Sequence, residues 1–121
     1  MKRVLLVEDE KNQRLLYDQV LSEEGYEVEL ASDGREALEL FEARRPDIVV
    51  LDISMPNMDG IETLGQVLSR DNRVPVILHT AYSSYKGNFM TWSADAYVVK
   101  NSDLTELKEK IKTVLAERER G

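Results

Sequence analysis

Five short apolar runs, separated by longer segments of helical periodicity, constrain this chain more than any other feature. They are RVLLV (3–7), EVELA (27–31), DIVVLD (47–52), VPVILH (74–79) and AYVV (96–99). The first, third and fourth are nearly continuous in Val, Ile and Leu, the composition of strands covered on both faces. The second alternates, as a strand half exposed at a sheet edge does. Pro75 stands near the start of its run, where a missing donor is tolerated.

The intervening segments follow the helical repeat. Leu16 and Val20 lie four apart within 11–24, and Gly25 follows as a stop. Residues 34–44 carry Ala37, Leu38 and Phe41, with Pro46 as a breaker. Residues 60–70 carry Ile61, Leu64, Val67 and Leu68, and residues 103–118 carry Leu104, Leu107, Ile111, Val114 and Leu115. Asp33 with Glu36, Asp59 with Glu62 and Asp103 with Glu106 have the spacing of capping boxes. Only AYSSYKGNFMTWSAD (81–95) is a poor helix by propensity, since it holds Gly87, Asn88 and three serines. A short or irregular element is expected there. Strands alternating with helices imply right-handed crossovers and a parallel sheet with helices on both faces. The expected class is doubly wound α/β.

Bulk properties narrow the function. The 121 residues make one domain with a real core, expected to span 1–121 with 118–121 as a solvated helix end or linker stub. A net charge of −7 argues against non-specific binding to nucleic acid and to anionic membranes. The absence of cysteine excludes disulfides, thiolate metal sites and a cysteine nucleophile. The apolar start, Val4 to Val7, is too short for a signal peptide or a membrane span. A cytoplasmic address is expected.

Ligands of such sheets bind beyond the carboxyl ends of the strands. Glu8 and Asp9 follow strand one, Asp52 ends strand three, Thr80 follows strand four and Lys100 follows strand five. Two carboxylates about 4 Å apart repel by about 4 kcal/mol at an effective dielectric of about 20. Acids so placed must protonate, spread or hold a cation. An all-oxygen set with no His or Cys beside it suits a hard divalent ion, Mg²⁺ first. A carboxylate beside that ion can attack phosphorus and become an aspartyl-phosphate. Lys100 would then neutralise the phosphoryl oxygens, and Thr80 would donate a hydrogen bond to one of them.

The segments LLVEDE, VVLDISMPNMDG, HTA and YVVK, in this order and spacing, resemble the signature of the receiver (response-regulator) domain of two-component signalling. The resemblance covers essentially the whole chain. It implies a flavodoxin-like five-stranded sheet in the order 2-1-3-4-5. It also implies that Asp52 accepts a phosphoryl group from a histidine kinase or phosphotransfer protein. Mg²⁺ would lie among Glu8, Asp9, Asp52 and the backbone carbonyl of Ser54. Thr80 and Tyr97 would form a switch pair that changes the face made by the 82–93 stretch, strand five and the last helix. That face would control an effector or output domain, and a phosphorylation-dependent dimer is one form such control can take. The chain departs from the pattern at Glu8, where Asp is also common, and at Asn101, which replaces a proline. The 82–93 stretch is slightly short, and Tyr82 is bulky. Tyr82 and Ser54 are expected to flank the phosphoryl group and set its lifetime.

Plainer readings stand beside these. Asp52 could cap a loop, Thr80 could be an ordinary β-branched strand residue, Lys100 a solvated lysine and Tyr97 half-buried core. His79, the single histidine, reads as a strand-face or core residue rather than a ligand. Tyr85, Phe89 and Trp92 either cover the sheet or form a partner surface. A Mg²⁺-dependent phosphohydrolase would want a second carboxylate two residues past the nucleophile, and position 54 is Ser. A dinucleotide binder would want a glycine-rich turn after strand one, and EDEKNQ has none. A receiver-like docking module that is never phosphorylated is the remaining alternative.

Overall fold

The computed structural model describes residues 1–52, 60–81, 94–101 and 103–120. Within them run β1 (Arg3–Val7), α1 (Lys11–Glu23), β2 (Glu27–Ala31), α2 (Gly34–Ala43) and β3 (Ile48–Leu51). They are followed by α3 (Gly60–Arg70), β4 (Val76–Thr80), β5 (Ala96–Val99) and α4 (Thr105–Arg120). The five strands form one sheet in the order β2-β1-β3-β4-β5, and every neighbouring pair is parallel. This is the doubly wound α/β architecture that the apolar runs imply.

Strand alternation divides the core into two layers. Leu5 and Val7 of β1, Val49 and Leu51 of β3, and Val76 and Leu78 of β4 point to one face. There they meet Ala37 and Phe41 of α2 and Leu64 and Val67 of α3. Val4, Leu6, Ile48, Val50 and Ile77 point the other way, to Tyr17 and Leu21 of α1 and Leu107, Ile111 and Val114 of α4. A central strand with two buried faces is apolar through its middle, and its buried polar residues stand at the ends, Arg3 on β1 and His79 and Thr80 on β4. β2, at the edge, is only partly covered along most of its length.

Element ends shift from the expected bounds for local reasons. β4 starts at Val76, since Pro75 has no N–H to give the ladder, and extends to Thr80, whose carbonyl accepts from Lys100 N at 2.7 Å. Asp47 lies before β3, with its carboxylate accepting from Arg3 N at 2.7 Å. The last helix starts at Thr105 because Asp103 caps its first turn, accepting from Thr105 N at 2.9 Å. It then runs through Arg118 to Arg120. Asp33 accepts from Glu36 N at 2.8 Å, while Glu36 reaches back to Ser32 N rather than to Asp33. Gly25 closes α1 at φ +94°.

One helical stripe is offset from its expectation. The buried i, i+4 pair of α1 is Tyr17 and Leu21, whereas Leu16 is 50% exposed. In its first turn Gln13 bonds to Lys100 and Arg14 to the carbonyls of Glu8 and Asp9, and the buried Tyr17 follows one turn later. Asp59, Tyr85, Phe89, Trp92 and the stretch 82–93, where a short or irregular element is expected, lie outside the described residues.

Candidate functional site

Backbone hydrogen bonds bring the site residues to one rim. Glu8 N donates to Ala31 O at 3.0 Å, Asp52 N to Val7 O at 3.1 Å, and Lys100 N to Thr80 O at 2.7 Å. Each residue just past a strand is thus tied to the end of a neighbouring strand. The parallel ladder fixes where its side chain leaves the sheet.

Those side chains converge. The Lys100 ammonium donates to Glu8 Oε1 at 2.5 Å, to Gln13 Oε1 at 2.8 Å and to Asp52 Oδ2 at 3.0 Å. An ammonium has three N–H groups, and all three are used. Glu8 is 1% exposed, and its second oxygen accepts from Glu10 N at 3.1 Å. Asp9 is exposed at the mouth of the pocket, and Glu8, Asp9 and Asp52 each bring a carboxylate oxygen within 4.8 Å of the others. Three carboxylates against one ammonium leave two negative charges uncompensated, the charge of one divalent cation. The donors are all oxygen, so the set fits a hard ion such as Mg²⁺. These three residues could hold one.

Burial sets the protonation tendencies. It raises the Glu8 carboxyl above its ordinary value, and the Lys100 ammonium and Glu10 N–H only partly offset that. Burial alone would lower Lys100, but its hydrogen bond to Glu8 and the charge of Asp52 outweigh it and hold the ammonium charged. Burial, then the Lys100 charge, pushes His79 down to about 4. His79 is therefore a neutral core residue that packs on Tyr17, as the plainer reading expects.

The run of three acids resolves into three separate tasks. Glu8 is the buried partner of Lys100, and Asp9 stands at the mouth. Glu10 is the N-cap of α1, accepting from Asn12 N at 3.1 Å and Gln13 N at 2.9 Å. Sequence reasoning missed Glu10, since Ser, Thr, Asp and Asn are the usual caps. It also missed Arg14 and Gln13. Arg14 Nη1 donates to the carbonyls of Glu8 at 2.8 Å and Asp9 at 3.3 Å, anchoring the acidic loop. Their available signal was position: both lie in the first turn of the helix that leaves the acidic loop.

Thr80 is fully buried at the end of β4, and Tyr97 is half-buried on β5. The register pairs Leu78 with Tyr97, so alternation puts Thr80 and Tyr97 on the same sheet face of adjacent strands. Asn101 is exposed, and its side chain accepts from Asp103 N at 2.7 Å. Ser54 and Tyr82 lie outside the described residues. No helix among the described residues is long and apolar enough to cross a membrane.

A parallel sheet with acids just past its first and third strands and a lysine just past its fifth defines an α/β domain with an acidic cluster and its counter-charge at one rim. A model of the response regulator receiver domain matches residues 4–112, and the chain belongs to that family of two-component signalling domains. Regulatory protein AtoC of Escherichia coli is 41% identical over 109 residues, which are 88% of this chain and 24% of AtoC. Response regulator TrrA of Thermotoga maritima, in complex with Mg²⁺-BeF, is 46% identical. It superposes with a TM-score of 0.92 over 94% of this chain and 99% of that one. TrrA in complex with the histidine kinase ThkA gives a TM-score of 0.89 at 46% identity, over 95% and 99% of the two chains. The chain spans half or less of the length of AtoC and of other curated relatives it matches, 24% to 50%.

Proposed function

We propose that the chain is a single receiver domain over residues 1–121 and a phosphorylation switch, with Asp52 as the phosphoacceptor. The observation that carries this is the Lys100 ammonium seated between Asp52 and Glu8, with Asp9 beside them. A carboxylate oxygen of Asp52 forms a bond to phosphorus as the phosphorus–nitrogen bond of a donor phosphohistidine breaks, and the imidazole leaves with the electron pair. A histidine kinase or phosphotransfer protein is the donor, in keeping with the ThkA complex of TrrA. Glu8, Asp9, Asp52 and the Ser54 carbonyl would hold Mg²⁺, which supplies charge neutralisation for the phosphoryl oxygens. Lys100 hydrogen-bonds one phosphoryl oxygen, and the Thr80 hydroxyl another.

The chain catalyses only its own phosphorylation and dephosphorylation. Thr80 and Tyr97 share a sheet face, so a hydroxyl drawn to the phosphate vacates space that the Tyr97 ring takes up. The face around β5 and α4 changes and is presented to an effector or output domain. Ser54 and Tyr82 flank the phosphoryl group and set its lifetime. The domain acts in the cytoplasm.

Mass spectrometry after incubation with acetyl phosphate and Mg²⁺ tests this reading. One added phosphoryl group is expected, absent in Asp52→Ala. No gain in the wild-type protein would leave a docking module that is not regulated by phosphorylation.

A further inference from the structure

Gln13 is half-buried in the first turn of α1 and belongs to no part of the acidic cluster. Its backbone N–H is fixed by the Glu10 carboxylate at 2.9 Å. Its side-chain oxygen accepts from Lys100 Nζ at 2.8 Å and from the Tyr17 hydroxyl at 3.4 Å. Gln13 and Tyr17 are one helical turn apart, stacked on the same face. Tyr17 is 4% exposed and its ring lies against His79, so the group that orients the amide is itself immobilised by the core.

The three acceptors of Lys100 differ in kind. Glu8 and Asp52 are anions that an incoming cation also needs, and Asp52 must in addition receive phosphorus. A second cation at those carboxylates weakens their hold on the ammonium, because like charges repel. The Gln13 amide is neutral, is not one of the clustered carboxylates and stays in place.

We propose that Gln13 is a positioning residue: its amide oxygen keeps the Lys100 ammonium in the pocket once a divalent cation has engaged Glu8 and Asp52. This rests on the receiver reading for its use in phosphoryl transfer, whereas the hold itself operates with the cation alone. Without Gln13 the ammonium has no neutral acceptor left in the pocket once the cation is bound, and it swings into water.

The test uses the whole chain, two variants of Gln13 and Lys100→Met as the assignment control. Gln13→Met keeps length and helix propensity but removes the acceptor; Gln13→Glu restores one. The ¹H–¹⁵N signal of the Lys100 ammonium, assigned by its loss in Lys100→Met, is followed as Mg²⁺ is added. It persists at saturation in the wild-type protein and in Gln13→Glu, and broadens into water exchange in Gln13→Met. Calorimetry with Mg²⁺ finds Gln13→Met weaker by up to about fivefold, since the ammonium that the cation displaces from the carboxylates no longer has Gln13 to tighten onto. Labelling by acetyl phosphate at saturating Mg²⁺ slows about tenfold in Gln13→Met, through misplacement of the ammonium. A Lys100 signal that persists with Mg²⁺ in Gln13→Met, at unchanged affinity, overturns the proposal. A wild-type protein that takes no phosphoryl group overturns the receiver reading instead, and the Mg²⁺ comparison still decides the role of Gln13.

Discussion

The His79 imidazole lies 5.2 Å from the Tyr17 ring, tilted by 60°, in a setting that leaves His79 3% exposed. Burial and the nearby Lys100 charge push its pKa down to about 4, against an ordinary value of 6.5. The folded protein keeps this ring neutral where the unfolded chain would protonate it. Stability from this group is therefore complete above pH 6.5 and is lost as pH falls from 6.5 towards 4, by up to about 3 kcal/mol. Glu8, whose pKa burial raises, acts in the opposite direction as pH rises through its own range. Urea unfolding of the wild-type protein and His79→Leu between pH 7 and pH 5 separates the two. The wild-type protein should lose stability more steeply, and parallel profiles would contradict the burial argument.

Lys100→Met should unfold more easily. It strands the buried Glu8 and Asp52 carboxylates beside Asp9, and an uncompensated buried charge costs about 3 kcal/mol. Added Mg²⁺ should recover part of the loss, since a bound cation stabilises by mass action. Denaturant midpoints with and without Mg²⁺ measure both effects. A variant as stable as the wild-type protein in the absence of metal would show that the ammonium is not the counter-charge of this pocket.

Asp9→Asn should behave in the reverse sense. Asp9 is exposed, so removing its charge relieves repulsion at little cost in packing, a gain of about 1 kcal/mol. The same change removes a ligand. The thermal midpoint without Mg²⁺ should rise slightly, and the further rise on adding Mg²⁺ should largely disappear. A full response to Mg²⁺ in this variant would exclude Asp9 from the metal site.

Gly25 tests the turn that follows α1. Its φ of +94° disfavours any side chain, yet a Cβ there would meet nothing within 4 Å. Gly25→Ala should cost about 1 kcal/mol from backbone conformation alone, and Gly25→Asn less, because Asn tolerates positive φ better. Equal thermal midpoints for the two variants would contradict that account.

The fold was legible because its signal is repeated. The middle of each central strand is apolar on both faces, and each described helix but one covers the residues its periodicity marks. α1 is the exception. Leu16 and Val20 suggest a stripe, but the buried residues are Tyr17 and Leu21, and the partners of Gln13 and Tyr17 come from Lys100 and His79, far away in sequence. The carboxylates and Lys100 were legible because a parallel sheet brings strand ends to one edge whatever lies between them. Gln13 and Arg14 were not, since Gln and Arg on a first turn read as solvated surface until the partner from β5 is in place. Glu10 was hidden by its neighbours: among three acids, nothing local marks which one turns back to cap the helix.

The ion pair at the rim joins residues 92 positions apart, and the second joins residues 48 apart. Both have high sequence separation, so closing the pocket costs more loop entropy than a local contact does. A nascent polypeptide that has emerged only as far as β4 carries the acids without their counter-ion. The pocket is thereby withheld from every fragment that stops short of β5 and assembled only when the sheet is complete.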